Sequence, residues 1–503
     1  MNDTLAASLQ GLQLVMSWPN IIWPVAGTLL SMLVSLLPGI SGVALMSVVI
    51  PLTISMEPVQ VMLLFGALVG GSTFAGSLTA ILFNIPGRNS NTATTFDGYP
   101  LTQRGKAKTA IGCAAAASAL GSTLGIVMLV TLLPFLSAIA ISFGPAELLM
   151  IMIWGIFAIV LATRGSRLKG FAIAGVGVLF SFVGSDPRTA EPRFTFGFDH
   201  LLDGINLVVI FIGLFAIAES IELLQRSQST LSGVRHKSLL SGSTFDGIKS
   251  LFKHFGTFLR SAFTGALIGV IPGVGGTVAS FIAYGNESRL HPNTFGKGDI
   301  RGVIAPESAN DAKDGGALVP TLALGIPGGM GTAMLLAALN LHGITPGTAL
   351  IQTNLTLVFV LIWSLFISNW LTSIVGIGVA APLSRLTVLP VRRIAPVILV
   401  FATMAVFLYR GSYIDVFIAY GFGFFGYAMK RLDWPRIPFV IALVLTPECE
   451  RYLQITVRLH ALGKIDFWSR PIVIGLGLFF LLIILAPLNR FLLTRFFAIR
   501  SKK

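Results

Sequence analysis

Along the whole chain, apolar runs close to the roughly 20-residue length that crosses a hydrocarbon core alternate with short polar loops. The pattern predicts an all-α polytopic membrane protein with about a dozen segments of spanning or hairpin type. It leaves no stretch long enough for a soluble domain. One run breaks its own rule. Residues 31–50, SMLVSLLPGISGVALMSVVI, are nearly all apolar, yet Pro38 and Gly39 sit in the middle, where proline removes an N–H and glycine loosens the backbone.

That break has a twin. SLLPGISGVA around Pro38 recurs as GVIPGVGGTV around Pro272, and each copy is followed by a second break, ILFNIPGRNSNTA at Pro86 and LALGIPGGMGTA at Pro327. Prolines and glycines are commoner in membrane helices than in soluble ones, so one break alone would read as a kink. Two ordered pairs point to a site. In hydrocarbon an unpaired amide costs several kcal/mol, so irregular backbone survives only where protein buries it or where it lines a wet cavity. Helix N-termini there offer N–H groups to anions, and freed carbonyls suit Na⁺.

Charge orients the copies. Arg226, Arg235, Lys237, Lys249, Lys253 and Arg260 face Asp246 alone, which places 226–260 in the cytoplasm. Arg104–Lys108, Arg164–Lys169, Arg385–Arg393, Lys430–Arg436 and the tail RSKK follow it inside. Residues 134–147, without Lys or Arg, and 184–203, where Arg188 and Arg193 meet four acids, fall outside. The first copy then starts outside, turns at Pro38, returns near Glu57 and crosses through Pro86. The second enters from the cytoplasm, turns at Pro272, returns to the mixed-charge loop 286–306 and crosses through Pro327. The prediction is two inverted repeats, each a re-entrant hairpin plus a Pro-Gly-broken helix, meeting near the midplane. The division is 1–225 for the first repeat with N-terminal helices, 226–256 for a cytoplasmic linker, 257–430 for the second repeat and 431–503 for C-terminal helices and a basic tail.

Composition agrees: 54% of residues are hydrophobic, 11% charged, and the mean hydropathy is +0.84. The net charge of +14 sits on scattered loop residues without a basic, aromatic-interleaved face, so nucleic acid is not the expected partner. Cys113 and Cys449 supply neither a disulfide framework nor a metal pattern. The segment MNDTLAASLQ has no basic n-region, so the first apolar segment is expected to be retained. Neither H-E-x-x-H nor a phosphate-cradling G-x-x-x-x-G-K-[ST] occurs, and the His residues lie apart, so an enzyme is not expected and the chain is no ATPase by itself. The permease of another importer, a channel and an intramembrane enzyme stay open on these residues alone.

The motifs LLPGISG, GGSTFAGSLTAILFNIPG, TTFDGYPLTQRGKA, FGPAELLM, IPGVGG and APESANDAKDGGALVPTLALGIPG resemble the large membrane subunit of the tripartite tricarboxylate transporters over most of the chain. The resemblance implies a bacterial inner-membrane, multi-pass secondary transporter. Such a transporter works with a small membrane subunit and a periplasmic solute-binding protein to import a citrate-like carboxylate, driven by Na⁺ or H⁺. It also implies kinship with carriers that use an elevator motion. Ser90-Asn91-Thr92 resembles the signature those carriers place at ion sites; the second repeat has GMGT there and departs from it.

The candidate residues follow from the breaks. Backbone N–H groups around Pro38, Gly39, Ser41 and Gly42, and around Pro272, Gly273, Gly275 and Gly276, are expected to bind the carboxylate, because the Pro-Gly segments hold few basic residues. Asn84, Pro86, Gly87, Ser90, Asn91 and Thr92, with Pro327, Gly328 and Thr332, are the expected ion ligands, unless the polar side chains merely satisfy freed backbone groups. Glu307, Asn310, Asp311, Lys313 and Asp314 precede a span; Asn310 and Asp311 either face the cavity, with Asp311 the titrating acid under H⁺ coupling, or belong to a solvated loop edge. Glu147 follows Gly-Pro and reads as a helix-start acid. No cofactor or tightly bound metal is expected beyond the coupling ion.

Overall fold

Lipid offers backbone amides no partner, so apolar runs close their hydrogen bonds internally as helix. The computed structural model describes residues 2–37, 40–162, 166–186, 188–225, 242–386, 394–464, 466 and 469–478. Among them the only strands are an antiparallel two-residue pair, β1 (Gly184–Ser185) and β2 (Pro192–Arg193). Everything else regular is helical. The first half holds α1 (Asn2–Met16), α2 (Ile22–Ser35), α3 (Gly42–Leu52), α4 (Pro58–Gly70), α5 (Thr73–Phe83), α6 (Thr92–Gln103), α7 (Ala107–Ser142), α8 (Pro145–Ala162), α9 (Arg167–Ser181), α10 (Leu207–Phe211) and α11 (Ala218–Gln225), the last two joined by a wider turn at Ile212–Ile217. The second holds α12 (Thr244–Lys253), α13 (Phe255–Val270), α14 (Gly275–Leu290), α15 (Arg301–Leu324), α16 (Met330–Leu341), α17 (Thr348–Thr353), α18 (Leu355–Leu386), α19 (Ala395–Arg410), α20 (Tyr413–Arg431) and α21 (Arg436–Ala461).

The chain is therefore an all-helical membrane protein. Four described stretches, Pro58–Phe83, Ala107–Phe135, Leu207–Gln225 and Leu355–Ala380, are long and apolar enough to cross a bilayer, and six further apolar helices are shorter. The breaks shorten several of these. α2 is parted from α3, α5 from α6, α13 from α14 and α15 from α16 at the four Pro-Gly positions.

Two helical columns form the centre. α15 is buried along its length except at Arg301, Lys313 and Leu324, and it runs parallel between α7 and α13. Small residues permit the approach: a Cβ on Gly121 would lie 2.6 Å from the Ser308 carbonyl oxygen, and one on Gly269 would lie 2.9 Å from Lys313 Cα. The α4–α5 column sits in the same way between α2 and α18, with a Cβ on Gly27 meeting Ala67 at 2.9 Å and one on Gly66 meeting the Leu361 carbonyl at 2.9 Å. Ser368 Oγ donates to the Ala67 carbonyl at 2.9 Å. The two columns run antiparallel to each other, since Thr73 reaches Asp314 while Ser77 reaches Glu307.

The order of elements recurs. From α1 to α7, and again from α12 to α18, a leading helix is followed by a broken pair, a long buried column, a half-helix beyond a second break and a long closing helix. Contacts between the halves are reciprocal: α1 packs on α18 and α12 on α7, while α3 meets α16 and α14 meets α6. In the second half the pair is a true hairpin. Glu287 near the end of α14 accepts from Thr257 Oγ1 at 2.9 Å and from Arg260 Nε at 2.8 Å near the start of α13, so both ends emerge together. α12 is a helix within the stretch expected to be linker. Residues 163–165, 226–241, 387–393 and 479–503, which carry much of the charge argument for sidedness, lie outside the described residues.

Candidate functional site

Where the columns cross, the interior turns polar. Glu307, fully buried on α15, accepts from Ser77 Oγ on α5 at 2.5 Å and from Thr94 Oγ1 on α6. Asn91, at the start of α6, donates from Nδ2 to Ser77 Oγ at 2.7 Å and to the Thr73 carbonyl at 3.2 Å. One turn further along α15, Asp311 accepts from Ser118 Oγ on α7. Asp314 is paired with Lys313 and lies 3.4 Å from Thr73 Oγ1. Arg88, just beyond the first broken column, donates from Nη1 to Ser72 Oγ at 2.5 Å and reaches Thr73 Oγ1 at 3.4 Å. A continuous polar seam results.

The seam is incompletely satisfied. Both side-chain atoms of Asn310, Oδ1 of Asn91 and Oδ1 of Asp311 are buried without a protein partner. Buried polar atoms are normally paired, so a cluster of unpaired oxygens beside charged groups marks a place built for something else. In formal charge, Glu307, Asp311 and Asp314 outnumber Arg88 and Lys313 by one.

The breaks reach the seam from both halves. A Cβ on Gly276, in the first turn of α14, would press on Asn310 Oδ1, lie 2.8 Å from Lys313 Cε and 3.4 Å from Ser90 Cβ. Gly42, opening α3, stands in the corresponding position of the first half: a Cβ there would touch Ser72 Cβ at 3.5 Å, the residue whose hydroxyl Arg88 holds. The starts of α3 and α14 thus flank a core made of Arg88, Asp314, Lys313 and Asn310. Residues 274–278 are part-exposed, as are Gly87 and Arg88, so this core has a way out.

The expected residues distribute as follows. Pro38 and Gly39 lie outside the described residues. Ser41 caps α3, its Oγ accepting from Ala44 N at 3.1 Å while its own N–H goes to Glu219 Oε2 at 2.9 Å. Pro272 is buried, and the Gly273 N–H is taken by the Gly328 carbonyl at 3.0 Å, which joins the two breaks of the second half. Gly275, with φ +70, opens α14 beside Gly276. Asn84 is exposed and ends α5 in the left-handed region (φ 57), the place Gly325 (φ 69) takes at the end of α15. Gly87 donates to the Gly76 carbonyl at 3.2 Å after the part-buried Pro86. Ser90 and Asn91 are buried in the seam and Thr92 opens α6 beside them. Pro327 is buried, Gly328 N–H reaches Thr321 Oγ1 at 3.2 Å, and Thr332 closes a local cap, accepting from Gly329 N at 2.9 Å. Glu147 accepts from Gly144 N at 2.8 Å at the start of α8 and pairs with Arg470 at 2.7 Å, a helix-start role.

The solvated-edge reading of 307–314 is overturned, because Glu307, Asn310, Asp311 and Asp314 are at most 4% exposed. Sequence reasoning passed over Arg88, Ser77, Thr94 and Ser118. A charge directly after Ile-Pro-Gly inside an apolar region was the available signal for Arg88. The three hydroxyls carried none, since serine and threonine are ordinary in membrane helices.

Residues 21–441 match the family model described as the tripartite tricarboxylate transporter TctA family. A relative from Agrobacterium vitis, described as an uncharacterized 52.8 kDa protein in the TAR-I ttuC' 3' region, is 32% identical over 97% of this chain and 97% of its own length. A second from the same organism, an uncharacterized protein in the TAR-II ttuC' 3' region, is 33% identical over 44% of this chain and 94% of its own length. No solved structure matches the chain.

Proposed function

Because the chain belongs to the tripartite tricarboxylate transporter TctA family, a family of transporters, we propose that it is the large membrane subunit of an ion-coupled importer carrying a citrate-like di- or tricarboxylate. A small membrane subunit and a periplasmic solute-binding protein complete the system, in a bacterial inner membrane. The observation that carries this reading is the buried polar seam, lined by the starts of α3 and α14 and left with unpaired oxygens and an excess acid.

The chemistry follows from charge. A carboxylate entering the core meets the N–H groups of the first turn of α14, at Gly275 and Gly276, and the Lys313 ammonium beside them. Taking Lys313 from Asp314 leaves that acid unpaired, so the anion enters together with cations. Na⁺ suits the orphaned oxygens of Asn91, Asn310 and Asp311, since a hard cation prefers oxygen ligands. The antiparallel columns, the recurring element order and the reciprocal contacts support two inverted repeats, and the α13–α14 hairpin closed at one end by Arg260–Glu287 supports a re-entrant element. An elevator motion of one part against the other is the transport step that such a pair of repeats suits.

The test is uptake into proteoliposomes holding both membrane subunits, with the binding protein and radiolabelled citrate, under imposed gradients and without ATP. An inward Na⁺ gradient should drive accumulation. Uptake that ignores Na⁺ and follows only the pH gradient assigns the coupling to Asp311 and H⁺. Uptake that needs ATP removes the secondary-carrier reading.

A further inference from the structure

Away from the seam, at the junction of α6, α7, α12 and the loop before α15, the surface opens into a cavity of about 530 Å³. Arg104, Lys106 and Lys297 line it, with Ser250, Asn293 and Thr294 offering polar groups between them. Its one acid is already committed: Asp299 is held by Arg301 Nη2 at 2.7 Å and by Thr294 Oγ1 at 2.5 Å. The cavity therefore presents uncompensated positive charge. Its wall is also fixed. Asp97 on α6, fully buried, accepts from the N–H groups of Gly296, Gly298 and Asp299 at 3.0, 2.7 and 2.8 Å and from Tyr284 Oη at 2.9 Å, which clamps the loop against the first broken helix.

The neighbouring surface says what kind of molecule carries the complementary charge. On α13, Phe255, Leu259, Phe263 and Leu267 repeat every four residues and are 43%, 42%, 55% and 49% exposed, which makes one apolar ridge facing the bilayer. The ridge continues into α12, where Phe245 and Phe252 point outward beside Lys249 and Lys253 while Gly247 and Leu251 pack inward on α7. An amphipathic helix with exposed phenylalanines and lysines lies in the membrane interface. The basic cavity is lined by Ser250 of that same helix, so it stands at headgroup depth. Basic pockets at this depth hold acidic headgroups.

We propose that this cavity is a binding site for the phosphate of an anionic phospholipid, seated between Arg104, Lys106 and Lys297 with its acyl chains along the α12–α13 ridge. The lipid ties the α6–α7 turn of one half to the α12 and α14–α15 segments of the other. The site is separate from the transport core, so it stands or falls independently of the substrate and the coupling ion.

The test uses the full chain, purified and delipidated in detergent, with lipid binding read by native mass spectrometry and thermal unfolding read in parallel. Phosphatidylglycerol should bind more tightly than phosphatidylcholine and raise the unfolding temperature. Arg104→Gln and Lys297→Gln should each weaken phosphatidylglycerol binding by about fivefold, while Lys464→Gln, an exposed charge elsewhere, should not. The two single variants test the site independently, should one of them fold poorly. Equal binding of both lipids, or unchanged binding in Arg104→Gln and Lys297→Gln, overturns the proposal. Inorganic phosphate that displaces phosphatidylglycerol at matched concentration assigns the cavity to a soluble anion and overturns the lipid.

Discussion

Asn310 is buried in the middle of a charged helix with neither its oxygen nor its amide paired, a cost of about 1–3 kcal/mol per unmatched group that a bound ion or carboxylate would offset. Its neighbours then have assignable roles. Lys313→Gln should raise the half-saturating carboxylate concentration by roughly 10- to 100-fold, the worth of a hydrogen bond to a charged group, a larger shift than in the Na⁺ concentration for half-maximal uptake; initial uptake rates at varied substrate and Na⁺ check this. Asn91→Ala and Asp311→Asn should act the other way, raising the Na⁺ concentration for half-maximal uptake more than that for substrate. If all three variants shift the two constants alike, the division of anion and cation sites is wrong. Gly276→Ala should abolish uptake in protein that still inserts, because the new Cβ would lie 2.8 Å from Lys313 Cε and against Asn310. Of these residues Asn91, Asn310, Asp311 and Gly276 were legible as candidates, since they flank the breaks or lie in a charged run. Arg88 was not, because a single arginine after a helix break reads equally as a loop charge until its bond to Ser72 is seen.

In the second half the broken pair is tied at its base. Glu287 is 1% exposed and takes three hydrogen bonds from Thr257 and Arg260 across the base of the α13–α14 hairpin. Removing one partner of a buried ion pair costs about 3–5 kcal/mol because the other charge is stranded. Arg260 is itself half-exposed, which places its loss toward the lower end. Arg260→Ala should therefore lower the unfolding temperature clearly, and adding Glu287→Gln should restore part of it; a purely additive double variant would mean that the pair does not close the hairpin. The four breaks were legible at this scale because proline cannot donate to the helix ladder. The burial of α15 was not. Its sequence carries Glu307, Asp311, Lys313 and Asp314 and reads equally as a polar edge or a cavity wall, and only the packing shows Glu307 and Asp314 meeting α5 while Asp311 meets α7.

For the whole molecule, the antiparallel columns predict sidedness. With Cys113 and Cys449 replaced by alanine, single cysteines at Glu57, which precedes α4, and at Arg289, near the end of α14, are both at exposed positions. They should react with an impermeant thiol reagent from opposite faces of the membrane; labelling of both from one face would remove the inverted arrangement. Transport in intact cells should need the small subunit and the periplasmic binding protein together, and deletion of either should reduce uptake to background.

The sequence by itself determined the helical membrane class, the family and the four places where the helices break, because bilayer length, backbone hydrogen bonding and proline chemistry act on contiguous residues. Tertiary structure alone decided which polar groups meet. Ser77 and Glu307 are 230 positions apart, and Ser118 and Asp311 are 193 apart. No local pattern encodes such pairs, since a hydroxyl and a carboxylate find each other only after small residues such as Gly121 let the helices approach to backbone contact. Whether a break is a kink or a candidate wall of a site follows from that approach, because a Pro-Gly break packed among apolar side chains only bends the chain, whereas beside unpaired oxygens and buried charge its free N–H groups are placed to meet a ligand.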